Sequence, residues 1–188
     1  LRDITRLKFE YELSTQFSFQ GVVNCFGLVQ QSGKVALVLD DVAGVPLQEF
    51  WKSSSQSLDL FLQLATSITT HLGELHKHGI IHKDIKPANI LVQKDTNQVF
   101  LIDLGYASLL HSEEQAPVQP ETLEGTLSYI SPEQTGRMNR SIDFRTDLYS
   151  LGVTFYELLT GQLPFVGNDP LELVHAHIAV LPTPPIQI

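Results

Sequence analysis

Apolar residues recur along this chain with two different periods, and the changes of period mark out its elements. Over residues 3–17, Ile4, Leu7, Phe9, Leu13 and Phe17 fall on a helical repeat and predict an amphipathic helix. Val22 to Gln30 and Val35 to Leu39 are β-rich runs, and Gly33 within Gln31-Ser32-Gly33-Lys34 marks the turn of a hairpin. Residues 46–52 suggest a short helix. The polar break Ser53-Ser54-Ser55-Gln56-Ser57 follows, with Ser57 suited to cap what comes next. Leu60, Leu64, Ile68, Leu72 and Leu75 then form one buried stripe of a longer helix, and Gly79 lies just past its end. Ile90-Leu91-Val92 and Val99-Phe100-Leu101-Ile102 flank the turn Asp95-Thr96-Asn97 and predict a second hairpin.

The pattern is lost over residues 106–130, where Glu113, Glu114, Pro117, Pro120 and Glu121 oppose regular structure. A long loop inside a compact domain usually has a functional role. Periodicity returns over residues 146–160, where Leu148, Leu151, Val153, Phe155, Tyr156, Leu158 and Leu159 make a helix apolar nearly all round. Such a helix is expected to be buried, with Gly161 ending it and Asp147 favouring the positive end of its dipole. Asp169-Pro170 supplies a cap and a first-turn proline for a last helix to about Val180, and Pro182, Pro184 and Pro185 stop it.

Composition narrows the class. The 188 residues suffice for one domain with a sizeable core, and the hydrophobic fraction of 43% is ordinary for a globular chain. A formal net charge of -9, with no cluster of Lys or Arg, argues against a nucleic-acid surface. Cys25, the single cysteine, permits no internal disulfide; it reads as a small buried hydrophobe and fits a reducing, cytoplasmic compartment. No apolar run is long enough to span a bilayer, and no signal peptide is visible. The stretch opens on Leu1 and not on Met, so it is expected to belong to a longer protein.

The chemistry concentrates in two segments, His82-Lys83-Asp84-Ile85-Lys86-Pro87-Ala88-Asn89 and Asp103-Leu104-Gly105. Asp84 can accept a proton from a hydroxyl, and Lys86 can neutralise a phosphate. Asn89 and Asp103 offer hard oxygen donors suited to Mg2+, which takes few protein ligands and completes its shell with water and phosphate. The second hairpin would bring Asn89 and Asp103 to one end. That set suits phosphoryl transfer, where positioning and charge neutralisation supply most of the catalysis.

At these residues the chain resembles the protein kinases. Their H-R-D-x-x-x-x-N pattern appears as His82-Lys83-Asp84 with Asn89, D-F-G as Asp103-Leu104-Gly105, and A-P-E as Ser131-Pro132-Glu133. Asp147-Leu148-Tyr149-Ser150-Leu151-Gly152 looks like the start of the long helix of the large lobe. Lys86, two residues after the aspartate, resembles the serine/threonine type. The resemblance implies that Asp84, Lys86, Asn89 and Thr126 are catalytic, with Thr126 of Gly125-Thr126 contacting Asp84 and Lys86 at the substrate-facing end of residues 106–130. It implies that Asn89 and Asp103 hold Mg2+. It assigns Leu39, Asp40, Val42 and Leu91 to the ATP site, with backbone groups of Asp40 and Val42 meeting the adenine. Counting back from Phe19-Gln20-Gly21, it makes Glu10 the helix glutamate that pairs with the ATP-binding lysine, with Glu12 as the alternative.

Several positions depart from the family pattern. Ser14 stands where a bulky apolar residue is usual. Lys83 stands for the usual Arg and offers a point charge in place of a planar fork, so control through a phosphorylated activation loop is not expected. The glycine-rich loop and its lysine are not among these residues, and the 188 residues alone are expected to be inactive. Thr135 to Arg140 after Ser131-Pro132-Glu133-Gln134 resembles a bacterial and fungal subgroup, in which the kinase opens a long sensor protein with an ATPase module and a histidine kinase. The expected fold is α+β and protein-kinase-like, truncated: a small-lobe remnant of one helix and a hairpin over 1–39, a hinge over 40–45 and a mostly helical large lobe over 46–188. The expected function is ATP- and Mg2+-dependent phosphorylation of a protein hydroxyl. A pseudokinase acting as a binding module is the alternative from another class, and a small-molecule kinase suits Gly125-Thr126 and Ser131-Pro132-Glu133 less well.

Overall fold

The structure, a computed structural model, describes residues 2–110, 127–167 and 169–188, with Arg2 and Asp3 described by their backbone alone. In chain order the helices and strands are α1 (Arg2–Gln16), β1 (Cys25–Gln31), β2 (Lys34–Leu39), β3 (Gly44–Pro46), α2 (Leu47–Ser53), α3 (Leu58–Lys77), β4 (Ile80–Ile81), β5 (Ile90–Gln93), β6 (Val99–Leu101), β7 (Ser108–Leu109), α4 (Phe144–Thr160) and α5 (Pro170–Ala179). This is an α+β arrangement, as the two hydrophobic periods predict. It forms two compact units. The first joins the residues up to His78 to Pro87–Ala107, and the second joins Gly79–Lys86 to Ser108–Ile188.

In the first unit, α1 packs on the β1–β2 hairpin and buries Leu13 and Glu10. Gln31 pairs with Lys34 across Ser32 and Gly33, both at positive φ, the two-residue turn that matches the twist of antiparallel strands. The strand starts later than its β-rich run: Val22 and Val23 leave the hairpin for the edge of β6. Val23 N–H donates to the Leu101 carbonyl (3.1 Å), and Leu101 N–H donates to the Gly21 carbonyl (2.8 Å), which buries both valines. Cys25 is half-buried at the start of β1, not fully buried as expected.

A second sheet, in the order β3-β5-β6, is antiparallel throughout and backs onto α2 and α3. Ser57 Oγ accepts from Leu60 N–H (3.2 Å) and starts α3. The buried stripe of α3 is Phe61, Leu64, Ile68, Leu72 and Leu75, so Phe61 opens it and not Leu60. Steps of four residues overrun a 3.6-residue turn, and at its start the stripe drifts to the neighbouring position. There the Phe61 ring meets Trp51 of α2 edge-on at 6.3 Å.

Gly21 has φ +81, and a β-carbon there would lie 2.1 Å from the His71 ring on α3. Gly21→Ala therefore combines left-handed strain with overpacking and is expected to cost about 2–4 kcal/mol. Urea unfolding measures it; an unchanged midpoint would contradict the packing described.

In the second unit, β4 pairs with β7, and α4 starts at Asp143, whose side chain accepts from Arg145 N–H (2.9 Å). Asp147 lies in the first turn of α4, near the positive end of its dipole as expected, and is fully buried. The expectation of a helix buried all round is corrected, because Leu148 and Leu159 are half exposed. The buried face instead carries Thr146, Ser150 and Thr154 with Leu151, Val153 and Leu158. Those hydroxyls are satisfied: Ser150 donates to the carbonyl of Tyr129 (2.7 Å) outside the helix, and Thr154 to that of Ser150 (2.9 Å) within it. Gly161 at φ +75 ends α4, and Asp169 caps α5 by accepting from Leu171 N–H (2.8 Å). Leu127, Ile130, Phe165, Leu173 and Val174 form a core here. His177 is buried edge-on to Phe165 and bonded through Nδ1 to the Tyr149 hydroxyl (2.8 Å), and burial pushes its pKa down to about 4.

Candidate active site

The second unit holds the loop His82–Lys86. Asp147 Oδ2 accepts from His82 N–H (2.8 Å) and Oδ1 accepts from Lys83 N–H (2.7 Å). One buried carboxylate thus fixes two consecutive peptides and holds Lys83 at φ +63, where non-glycine residues are rarely found. Asp84 N–H points at His82 Nδ1 (3.4 Å), and His82 is fully buried. The Asp84 carboxylate is 3% exposed and receives a charge-assisted bond from Lys86 Nζ (2.6 Å). A proton acceptor beside an ammonium, on a loop held by its own backbone bonds, can deprotonate a hydroxyl and steady an anion.

The same unit places Ser131-Pro132-Glu133-Gln134 in a single turn. Thr146 Oγ donates to Glu133 Oε1 (2.7 Å), and the Tyr129 hydroxyl donates to Glu157 Oε2 (2.5 Å). Gln134 Nε2 donates to the Lys83 carbonyl (2.9 Å), a contact that no pattern in the sequence signals. Thr126 lies outside the described residues.

The first unit holds the oxygen donors. Ile90 pairs with Leu101, and Ile102 N–H donates to the Asn89 carbonyl (3.0 Å), so Asn89 and Asp103 stand at one end of the hairpin, as its sequence predicts. Asp103 has φ +66, and its Oδ1 accepts from Gly105 N–H (3.3 Å). A β-carbon on Gly105 would come within 3.2 Å of Asp103 Oδ1, a tight contact, and within 3.5 Å of Glu10 Oε2, an ordinary one. Of the two α1 glutamates, Glu10 is the buried one and Glu12 is exposed. Among the described residues no group of three or more His, Cys, Asp or Glu could hold a metal. The donor set at the hairpin end is one amide and one carboxylate, which fits a hard cation completed by phosphate and water.

The segment assigned to the nucleotide lies in the same unit. Asp40 N–H donates to the Asn24 carbonyl (2.9 Å), Ala43 N–H to Asp41 Oδ1 (2.9 Å), and Gln93 Nε2 to the Val42 carbonyl (2.7 Å). These three bonds shape residues 40–43. Leu91 is half-buried on β5, and Leu39 is 41% exposed at the end of β2.

Burial first, and then the Asp103 carboxylate, push the Glu10 carboxyl up to about 7, against a smaller opposing effect of Leu104 N–H. The folded state therefore binds this proton more tightly than the unfolded chain. The resulting stability is fully present below pH 4.5 and is lost as pH rises through about 7. Glu10→Gln is expected to gain about 1–3 kcal/mol over wild type at pH 8 and nothing near pH 4. Urea unfolding at the two pH values checks this; an equal difference at both would contradict it.

The protein kinase domain family matches residues 2–183. Relatives include the serine/threonine-protein kinase PknB of Mycolicibacterium smegmatis, 43% identical over 110 residues, which are 58% of this chain and 17% of that protein. PknB of Mycobacterium tuberculosis is 35% identical over 150 residues, 79% of this chain and 24% of that protein. A probable serine/threonine-protein kinase of Clostridium acetobutylicum is 30% identical over 186 residues, 98% of this chain and 28% of that protein. The chain thus spans 17% to 28% of the length of these relatives.

Proposed function

This chain belongs to the protein kinase domain family, and from that premise we propose that the protein carrying it transfers the γ-phosphoryl of ATP to a serine or threonine hydroxyl of a protein. Asp84 orients the hydroxyl and accepts its proton, and Lys86 steadies the transferring group. Asn89 and Asp103 hold Mg2+, which when bound offsets the phosphate charge. Leu39, Asp40, Val42 and Leu91 belong to the ATP site, Glu10 seats the ATP-binding lysine, and Thr126 faces the substrate. The observation that carries the reading is the buried Asp84 carboxylate, 2.6 Å from Lys86 Nζ on a loop whose peptides Asp147 holds.

Residues 1–39, 40–45 and 46–188 correspond in this reading to part of a small lobe, a hinge and a large lobe. The resemblance of Thr135–Arg140 to a bacterial and fungal subgroup is what supports placing the domain at the front of a cytoplasmic sensor protein with an ATPase module and a histidine kinase. Incubation of the full protein with γ-labelled ATP and Mg2+ tests the function. Label transferred by wild type and lost with Asp84→Asn supports an enzyme; nucleotide binding with no transfer favours the pseudokinase reading.

A further inference from the structure

The peptide between Lys83 and Asp84 is gripped along both edges. Its N–H, that of Asp84, points at His82 Nδ1 (3.4 Å), and its carbonyl, that of Lys83, accepts from Gln134 Nε2 (2.9 Å). The preceding peptide is fixed by Lys83 N–H donating to Asp147 Oδ1 (2.7 Å). A peptide is planar, so the one remaining way to reorient Asp84 relative to Lys83 is rotation about the dihedrals of those residues. Lys83 sits at φ +63, a conformation that a lysine holds only when its surroundings impose it. Gln134 is itself held. Its Oε1 accepts from both Ser131 N–H and Ser131 Oγ (3.1 Å each), and its own N–H donates to the Ser131 carbonyl (3.1 Å). The Ser131 amide can only donate and the Lys83 carbonyl can only accept, so the orientation of the Gln134 amide is determined. Ser131 is fully buried, which anchors the glutamine to the core of its unit.

We propose that Gln134 is a positioning residue: through the Lys83 carbonyl it sets the orientation of the Asp84 carboxylate and couples the Ser131–Thr135 turn to catalysis. This rests on the kinase reading of Asp84. The bland alternative is that Gln134 only closes its own turn on Ser131. Gln134→Glu separates the two, because it keeps an acceptor for Ser131 and turns a carboxylate oxygen toward the Lys83 carbonyl.

In the full protein at saturating ATP, Gln134→Glu and Gln134→Ala are each expected to lower kcat about tenfold, the worth of one hydrogen bond to a partly buried carbonyl, with KM for ATP within about twofold of wild type. Glycine adopts φ +63 without help. In a Lys83→Gly background the same Gln134→Ala change is therefore expected to lower kcat less than about threefold. Hydrogen exchange supplies a readout independent of activity: the Asp84 amide should exchange at least about tenfold faster in Gln134→Ala, with the amides of α4 unchanged. Wild-type kcat in Gln134→Glu, an equal loss in both Lys83 backgrounds, or an unchanged Asp84 amide overturns the proposal. Should Gln134→Ala fail to fold, Gln134→Glu decides by the same kcat and exchange criteria. Wild-type protein without Asp84-dependent transfer would refute the kinase reading instead, and the exchange result would still decide whether Gln134 holds this peptide.

Discussion

Asp84→Asn is expected to lower kcat for phosphoryl transfer by about a thousandfold while KM for ATP stays close to wild type. Asparagine keeps the shape and a hydrogen bond to Lys86 but cannot accept the hydroxyl proton, and a positioned general base is worth about 10²–10⁴ in rate. Asp103→Asn should reach a similar loss by another route, through a weakened metal site. The two are separable: raising Mg2+ restores part of the rate of Asp103→Asn and none of that of Asp84→Asn. Recovery of both variants, or of neither, would contradict the division of roles between base and metal ligand.

The second large effect is on the loop beneath the chemistry. Asp147 is fully buried, and its two oxygens accept the N–H groups of His82 and Lys83 at 2.8 and 2.7 Å. Asp147→Ala removes the carboxylate that accepts from both donors and holds Lys83 at φ +63. The expected cost is about 2–5 kcal/mol, one desolvation penalty for each orphaned amide. Asp147→Asn keeps one acceptor and turns an amide N–H₂ toward the other donor, so it should fall between. Denaturant unfolding of the three proteins checks the order; Asp147→Ala with a wild-type midpoint would show that the two backbone bonds carry no stability.

Local features of this chain are legible in its residues, and distant ones are not. Ser57 and Asp169 cap α3 and α5 through bonds that reach two or three residues along the chain, and the Asp95-Thr96-Asn97 turn brings Asn89 and Asp103 to one end of a short hairpin. Glu10 and Glu12, two residues apart, face opposite sides of the helix, and which of them is buried, Glu10, is set by the hairpin that α1 packs on and not by local sequence. Val22 and Val23 read as strand because β-propensity does not say which strand they join. The buried face of α4 is misread because its small hydroxyls find partners inside the fold, Thr154 at the carbonyl of Ser150, Ser150 at that of Tyr129 and Thr146 at Glu133, so residues that pass for surface ones are buried. The bonds of Gln134 to Lys83 and of Asp147 to His82 span 51 and 65 residues, and no local periodicity encodes them.

The central proposal is that the protein carrying this domain phosphorylates serine or threonine hydroxyls of proteins, the class that the resemblance at Lys86 implies. Its most direct test is phosphoamino-acid analysis of a protein substrate after incubation with the full protein, Mg2+ and γ-labelled ATP. The account predicts label in phosphoserine or phosphothreonine that disappears with Asp84→Asn; label confined to phosphotyrosine, or label that survives Asp84→Asn, would contradict it.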